Sequence, residues 1–227
     1  VLLIDDYAFK NCKMLKNVNI SKNSKLKKIG IGAFEQTAIE KIVFPLNLTI
    51  IEKFAFYKCM KLISIENHSK QIDFGYKSFY NSSIEEIEFP IFATFDISSF
   101  QGCFKLKQLS FIDTPKDLIF EVQSFASSGI ESINLNCKVD ILENAFSFCQ
   151  KLKEVVLKGN DIKCLHNSFI CPNLKKFILD LSVNIDNQNF DPKKHFLYIK
   201  DQVILSSVEK FSLNLTFQNK RDPNIYK

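Results

Sequence analysis

The sequence predicts a solenoid, in which the chain winds into stacked turns that each contact only their neighbours. The first observation is a small residue followed by phenylalanine, a pair that recurs along the chain. The pairs are Ala8-Phe9, Ala33-Phe34, Ala55-Phe56, Ser78-Phe79, Ser99-Phe100, Ser124-Phe125, Ala145-Phe146 and Ser168-Phe169. Their phenylalanines lie 21 to 25 residues apart, and Phe190 after Asn189 is a worn ninth copy. A fixed period predicts one elongated domain.

The second observation is a short apolar pattern after each pair. It has the form apolar-x-x-apolar-x-apolar, and its last two apolar positions alternate with a polar or exposed one, as a half-buried strand requires. The third repeat departs from it, because Asn67 stands where the last apolar residue belongs. Further apolar residues, such as Leu48, Ile72, Leu142 and Leu165, mark a return segment before the next pair. The predicted strands begin at Leu15, Ile39, Leu62, Ile84, Leu106, Ile130, Leu152 and Leu174.

A period near 22 is typical of leucine-rich repeat solenoids. The predicted fold is a β-dominated member of the α/β class, a curved right-handed coil with a concave parallel sheet of about nine short strands. A spine of stacked Phe rings is expected on the side opposite the sheet. We expect one domain over residues 1–227, with repeats at about 4–199 and a C-terminal cap at about 200–227 that shields the last open edge. Phe196 to Ile199 is the candidate ninth strand.

Composition excludes several classes of protein. A hydrophobic content of 46% argues against disorder, and a net charge of +5 from 30 basic and 25 acidic residues is too mixed for a nucleic-acid partner. The run Lys22, Lys25, Lys27 and Lys28 favours a solvated loop over a polyanion site. No apolar run approaches the ~18 residues that a membrane span needs. Val1 to Ile4 leads straight into the first pair, so we expect a fragment or a mature form.

The cysteines follow the repeat and do not resemble a disulfide framework. Cys12, Cys59, Cys103 and Cys149 each lie three residues after a repeat Phe. Equivalent residues two repeats apart should lie ~10 Å from each other, beyond the ~7 Å limit for a bridge. These four are therefore expected to be buried free thiols. Cys149 and Cys171 occupy adjacent repeats and form the one plausible disulfide pair.

Sequons for N-glycosylation exceed the number expected by chance. Chance predicts about 2 in a chain of this composition, whereas five are present. The excess favours an extracellular protein. The possible glycosylation sites are Asn19, Asn47, Asn67, Asn81 and Asn214.

The repeat closely resembles the BspA-like leucine-rich repeats. The resemblance rests on Ile31-Gly32-Ala33-Phe34 with Ile39, Ile42 and Phe44-Pro45, on Ala55-Phe56 to Cys59 with Leu62 and Ile65, and on Ala145-Phe146 to Cys149 with Leu152. It extends from about Ile4 to Ile185, with Ser replacing Ala in four pairs. That family occurs on the surfaces of mucosa-dwelling bacteria and protozoa, where members are linked to adhesion. The resemblance implies a surface adhesin.

The sequence offers no residues for catalysis, metal binding or a cofactor. His68, His166 and His195 lack a metal-ligand spacing, and none recurs with the repeat. The cysteines recur at the same position of the repeat, which indicates a structural role, whereas reactive thiols are normally single and exposed. Gly30-x-Gly32 lacks the other glycines of a phosphate loop, and we interpret it as a turn. We therefore expect a protein that is not an enzyme.

The outward face of the predicted sheet is the candidate binding surface, because strands line a rigid contact area in such solenoids. Glu66, Glu85, Glu86 and Glu88 form an acidic patch on it. Val156 beside Ile178, with Glu154 and Lys176 at the rim, fits a binding hot spot, although isolated exposed aliphatic residues are common on sheets. The candidate ligand-binding residues are Lys41, Val43, Glu66, Glu86, Glu88, Gln108, Ser132, Glu154, Val156, Lys176 and Ile178.

Two main functions follow from these observations. The first is a recognition or adhesion protein at the cell surface or outside the cell, with a protein or glycan ligand on a host cell or matrix. The alternative is an intracellular, cytoplasmic leucine-rich repeat scaffold for protein assembly. A repeat appendage of an enzyme is a third possibility. No nucleic acid, cofactor or membrane span is expected in this chain.

Overall fold

The computed structural model describes residues 1–159, 161–165, 167–184 and 210–218. Every regular element in these ranges is a β-strand, and no described helix is long and apolar enough to cross a membrane. The strands are β1 Leu3–Ile4, β2 Lys28–Ile29, β3 Lys41–Phe44, β4 Ile50–Ile51, β5 Ser64–Asn67, β6 Gln71–Phe74, β7 Glu86–Phe89, β8 Phe92–Phe95, β9 Ser110–Phe111, β10 Asp117–Phe120, β11 Ser132–Asn136, β12 Lys138–Ile141, β13 Glu154–Gly159, β14 Ile162–Cys164, β15 Lys176–Asn184 and β16 Lys210–Gln218.

Each turn of the coil, here called a rung, adds strands to two parallel sheets. The return sheet has the order β1-β2-β4-β6-β8-β10-β12-β14. The leading sheet consists of two four-stranded parts, β3-β5-β7-β9 and β11-β13-β15-β16, which are linked by the bridge between Gln108 and Ser132. Neighbouring strands in each sheet come from successive rungs. The chain is therefore a solenoid of about eight turns, which confirms the predicted fold class.

The leading strands begin two to four residues later than predicted, and near Leu15 the described structure has the single bridge between Asn17 and Lys41. Inward and outward residues alternate along β3, β7 and β11. Ile42 pairs with Ile65, which pairs with Ile87, and all three side chains are buried. Their sequence neighbours Lys41 and Glu86 point outward on the same strands. Strands this short bury their inner side by stacking on adjacent rungs, so one shared register is required along the whole sheet.

The return segments form a sheet as extensive as the leading one. Its register places one inward-pointing residue of each strand in a single column along the solenoid. Leu142 and Leu165, which were expected to mark return segments, are half-buried and directly follow inward residues of that column. The alternation of apolar and polar residues explains the strands, since β6, β8 and β10 each place every second residue inward. The column contains Ile4, Ile29, Ile51, Phe74, Phe95, Phe120, Ile141 and Cys164.

The rings of the repeat phenylalanines stack in a continuous spine, as predicted. From Phe9 to Phe169, successive ring centroids lie 4.8 to 5.5 Å apart with interplanar angles of at most 17°. The spine lies between the sheets, since Phe79 contacts Phe44 of the leading sheet at 6.4 Å and Phe74 of the return sheet at 6.0 Å. The proposed ninth copy, Phe190, lies outside the described residues.

The segments that carry the spine, here called the Phe turns, use the left-handed backbone region at fixed places. The residue two before each repeat Phe has a positive φ, and so has the residue two after it in every rung before that of Phe169. Thirteen of these residues are not glycine, although such a conformation costs L-residues about 1–2 kcal/mol each. Backbone bonds between rungs, such as Phe34 N donating to Ala55 O at 2.8 Å, hold the turns in this shape.

The predicted cap is described at residues 210–218 alone. There β16 pairs with β15 in parallel from Lys176 opposite Lys210 to Asn184 opposite Gln218. In the leading sheet, β16 is therefore the neighbour of β15. The candidate strand at Phe196 to Ile199 lies outside the described residues.

Candidate functional site: the outward face of the leading sheet

All eleven candidate ligand-binding residues lie on the outward face of the leading sheet. The register places Glu66 beside Val43, and Ser132, Glu154 and Lys176 on three successive strands. Val43, Glu154, Val156, Lys176 and Ile178 are half-buried by their neighbours. The exposed members are Lys41, Glu66, Glu86, Glu88, Gln108 and Ser132.

A depression of about 500 Å³ opens on this face where the sheet narrows to the two residues of β9. Strand pairing is sparse here, because β7 and β9 pair through Glu88 and Phe89, and the bridge between Gln108 and Ser132 links this part of the sheet to the next. The structure thus brings four of the candidate residues into one concavity. Its outward lining consists of Ser64, Glu66, Glu85, Glu86, Glu88, Lys107, Gln108 and Ser110.

The carboxylates of the depression differ in their partners. Glu85 accepts a hydrogen bond from Lys105 Nζ at 2.9 Å, which lowers the pKa of Glu85. Glu66 Oε1 lies 2.7 Å from His68 Nε2. Among the described residues no cation pairs with Glu86 or Glu88. Their negative charges are therefore exposed and unpaired on the floor of the depression.

The apolar pair lies on the other half of the leading sheet. Val156 pairs with Ile178, and a salt bridge of 2.5 Å joins Glu154 to Lys176 along one side. Three rungs separate this pair from Glu86, a distance of about 14 Å at the usual strand spacing. The acidic depression and the apolar pair are therefore two neighbouring features of one surface. The role of the pair as a hot spot stays a prediction.

Of the four cysteines expected to be buried, Cys59, Cys103 and Cys149 are buried, whereas Cys12 in the first rung is exposed, so the prediction is wrong for Cys12. The three buried thiols bond to the backbone of the preceding rung. Cys59 Sγ donates to Phe34 O at 3.0 Å, and Cys103 Sγ donates to Phe79 O at 3.2 Å. Burial raises the pKa of Cys59 to about 11 and that of Cys103 to about 12. Both thiols stay protonated at neutral pH, so they serve the packing of the Phe turns and are poor nucleophiles.

Cys149 and Cys171 are buried and lie in adjacent rungs. Cys171 Sγ donates to Phe146 O at 3.0 Å, and the hydrogen bond with Cys149 together with burial raises the pKa of Cys171. The two side chains are thus close enough to form a hydrogen bond. The disulfide stays a prediction.

The sequons differ in the state of their amides. Asn19 and Asn47 are exposed, and Asn47 Nδ2 donates to Ser24 O at 2.9 Å. Asn67 is half-buried, and its Nδ2 donates to Ser69 O at 3.2 Å and to Glu88 O at 3.0 Å. Asn67 therefore ties one rung to the next where the repeat lacks its apolar residue.

Asn81 is a half-buried residue with a φ of 54° in a Phe turn. Asn214 belongs to β16. Glycosylation at any of the five stays a prediction.

The residues considered for catalysis or metal binding do not come together in one site among the described residues. His68 lies beside Glu66, whereas His166 and His195 lie outside the described residues. No group of three or more metal-ligating side chains occurs in the described part of the chain. Gly32 has a φ of 56° in a Phe turn, as expected for a turn glycine. The expectation that the chain is not an enzyme stays a prediction.

Sequence reasoning missed an aromatic cluster on the surface of the Phe turns. Tyr57 stacks on Tyr80 with 5.3 Å between centroids, and Phe54 meets Tyr76 edge-on at 5.4 Å. Lys77 Nζ lies 5.0 Å from the centre of the Tyr76 ring. A signal existed, since Tyr57 and Tyr80 each directly follow a repeat Phe in adjacent repeats.

Comparison with solved structures supports the fold. Over 94% of its length the chain matches a leucine-rich repeat protein from Bacteroides ovatus with a TM-score of 0.55 and 19% identity, and it spans 55% of that protein. A leucine-rich cell surface protein from Faecalibacterium prausnitzii aligns at a TM-score of 0.41 and 16% identity over 97% of this chain and 78% of that one. The pneumococcal vaccine antigen PcpA aligns at a TM-score of 0.41 and 18% identity over 96% of this chain and 77% of that one. No curated protein matches the chain.

The comparison with family models is more specific. The model of the BspA type leucine rich repeat region, present in 6 copies, matches residues 1–107 and 92–196. These ranges contain all eight small-residue and Phe pairs and strands β1 to β15. The chain therefore belongs to the BspA-type leucine-rich repeat family.

Proposed function

We propose that this chain is a non-enzymatic recognition protein of the cell surface or extracellular space, and that the leading sheet binds a protein or glycan on a host cell or matrix. The observation that carries the proposal is the depression with its unpaired Glu86 and Glu88. The lining contains the four carboxylates of Glu66, Glu85, Glu86 and Glu88 and one lysine, Lys107. The net negative charge that remains favours a basic or hydrogen-bonding ligand.

The surroundings of the depression support binding. Its floor is a stack of parallel strands over a close-packed aromatic core, so the contact area is preorganised and its ordering costs little on association. Val156 and Ile178 extend the surface with apolar contact. The family resemblance to adhesins and the exposed sequons Asn19 and Asn47 favour an extracellular location.

The test compares matched variants of the two sheets. The double variant Val156→Ser and Ile178→Ser alters the leading sheet, whereas Phe92→Ser and Ile119→Ser removes two exposed apolar residues from the return sheet. A third variant, Glu86→Gln and Glu88→Gln, removes the unpaired charges. Binding of the labelled proteins is measured on mucosal epithelial cells and on a panel of immobilised matrix proteins.

We expect both leading-sheet variants to lose binding and the return-sheet variant to keep it, with all three folded by circular dichroism. Apolar hot-spot residues contribute about 2 kcal/mol each, so the loss should exceed tenfold. Equal binding by all three folded variants would remove the leading sheet as the contact surface.

A further inference from the structure

A second depression lies on a different side of the solenoid, among the Phe turns of the first three rungs. Its volume is about 280 Å³, and its lining includes Lys13, Gln36, Lys58, Met60 and Lys61. Small-molecule sites usually measure about 300–1,000 Å³, so this depression can take one unit of a longer ligand. It shares no residue with the leading-sheet surface.

Among the described residues, the lining carries three ammonium groups and no acidic side chain, and the nearby Glu35 carboxylate accepts a hydrogen bond from Gln36 of the lining at 3.4 Å. Glu35, the carboxylate next to Gln36 in sequence, is paired with Lys10 at 3.0 Å. Like charges held within one Debye length repel, and an anion in the depression removes that repulsion.

The charge of Lys58 is held in place. Its Nζ lies 5.2 Å from the centre of the Tyr57 ring, a cation–π contact that restricts an otherwise flexible side chain. Met60 lies beside it with 53% of its surface exposed, which adds an apolar contact. Fixed cations next to an apolar surface suit a ligand that combines anionic groups with C–H faces.

From these contacts we propose that the basic depression, defined by Lys13, Lys58 and Lys61, binds an acidic sugar unit that carries sulfate or carboxylate groups. The lining favours a sugar over a nucleic acid. No aromatic ring is among the described residues that line the depression, so it lacks the stacking surface for bases that single-stranded nucleic acids use. The site is separate from the leading sheet, and either surface can fail its test alone.

The probe is a fluorescent heparin-derived hexasaccharide, and the uncharged comparison is the same hexasaccharide after desulfation, N-acetylation and reduction of its carboxyl groups. The site variant is K13Q/K58Q/K61Q. The matched control is K116Q/K151Q/K163Q, which removes the same charge from exposed lysines elsewhere. Fluorescence anisotropy should show that the sulfated probe binds the site variant about tenfold more weakly than the unchanged chain, while the control variant binds like the unchanged chain.

A second variant guards against a loss of folding, because Lys58 packs on Tyr57. K13Q/K61Q changes two exposed side chains, and it should weaken binding with an unchanged unfolding midpoint. Equal losses in the site and control variants would overturn the proposal, as would equal binding of the uncharged hexasaccharide. Binding of a single-stranded oligonucleotide of the same charge as tightly as the sulfated probe would overturn the assignment to sugars.

Discussion

At the scale of single residues, the small side chain before each repeat Phe distinguishes two kinds of rung. Ala33, Ala55 and Ala145 fill the position without a polar atom. In other rungs serine takes the place, and these buried hydroxyls have no hydrogen-bond partner among the residues that the structure describes. They belong to Ser78, Ser99, Ser124 and Ser168. A buried unpaired hydroxyl costs about 1–3 kcal/mol, so the serine rungs are less stable than the alanine rungs.

We predict that Ser99→Ala stabilises the chain by about 1 kcal/mol, because it removes an unpaired hydroxyl at a site that accepts alanine in other rungs. Urea unfolding followed by circular dichroism measures the change. The control is Ser69→Ala, since Ser69 Oγ is buried but donates to Leu48 O at 2.7 Å or Gln71 O at 2.8 Å. That variant should be less stable by a similar amount. A lower midpoint for Ser99→Ala would show that its hydroxyl has a partner.

At the scale of elements, the sequence predicts the inward and outward residues of the leading strands, but it does not predict the inward column of the return sheet. In β7 the alternation of Glu86, Ile87, Glu88 and Phe89 determines which side is inward, so the sequence reveals the register. The return column changes from Ile51 to Phe74 and Cys164, and no single residue type marks it. A stack of return-sheet rings, from Phe74 through Phe95 to Phe120 at 5.6 and 5.1 Å, was missed for this reason.

The Phe turns lead to a prediction about backbone conformation. Ser127 has a φ of 56° and is exposed, so a β-branched side chain there is strained by its own backbone. We expect Ser127→Val to destabilise the chain by about 1–2 kcal/mol. The same change at Ser132, an exposed position of β11, should cost nothing because valine favours strands. Urea midpoints measure both. Equal effects would show that side-chain polarity, not φ, determines the outcome.

At the scale of the whole molecule, the leading-sheet surface follows from the sequence repeat, whereas the basic depression does not. The outward residues of the leading sheet follow from the period, because each occupies the same place in its repeat. The basic depression cannot be found from the period, because its lysines occupy different places in their repeats. Lys13, Lys58 and Lys61 lie four, two and five residues after their repeat Phe. Such a site arises from unlike positions in neighbouring rungs, so it is visible once the rungs are stacked.

The stacking also predicts how the molecule unfolds. Phe79 is fully buried between Phe56 at 4.8 Å and Phe100 at 4.9 Å. Phe9 is half-buried, and among the described rings it stacks on Phe34 alone. We expect Phe79→Ala to cost about 3–5 kcal/mol and Phe9→Ala less than half as much. Because each rung contacts only its neighbours, the loss of Phe79 should also uncouple the two halves of the solenoid.

Urea unfolding and hydrogen exchange of backbone amides test this difference. For Phe79→Ala the urea transition should broaden or split, and amides of β3 to β6 should exchange at a different free energy from those of β11 to β14. For Phe9→Ala the transition should stay single, with faster exchange confined to the first rungs. Equal stability losses and one sharp transition in both variants would mean that the rungs form a single cooperative core, in which position along the spine has no energetic consequence.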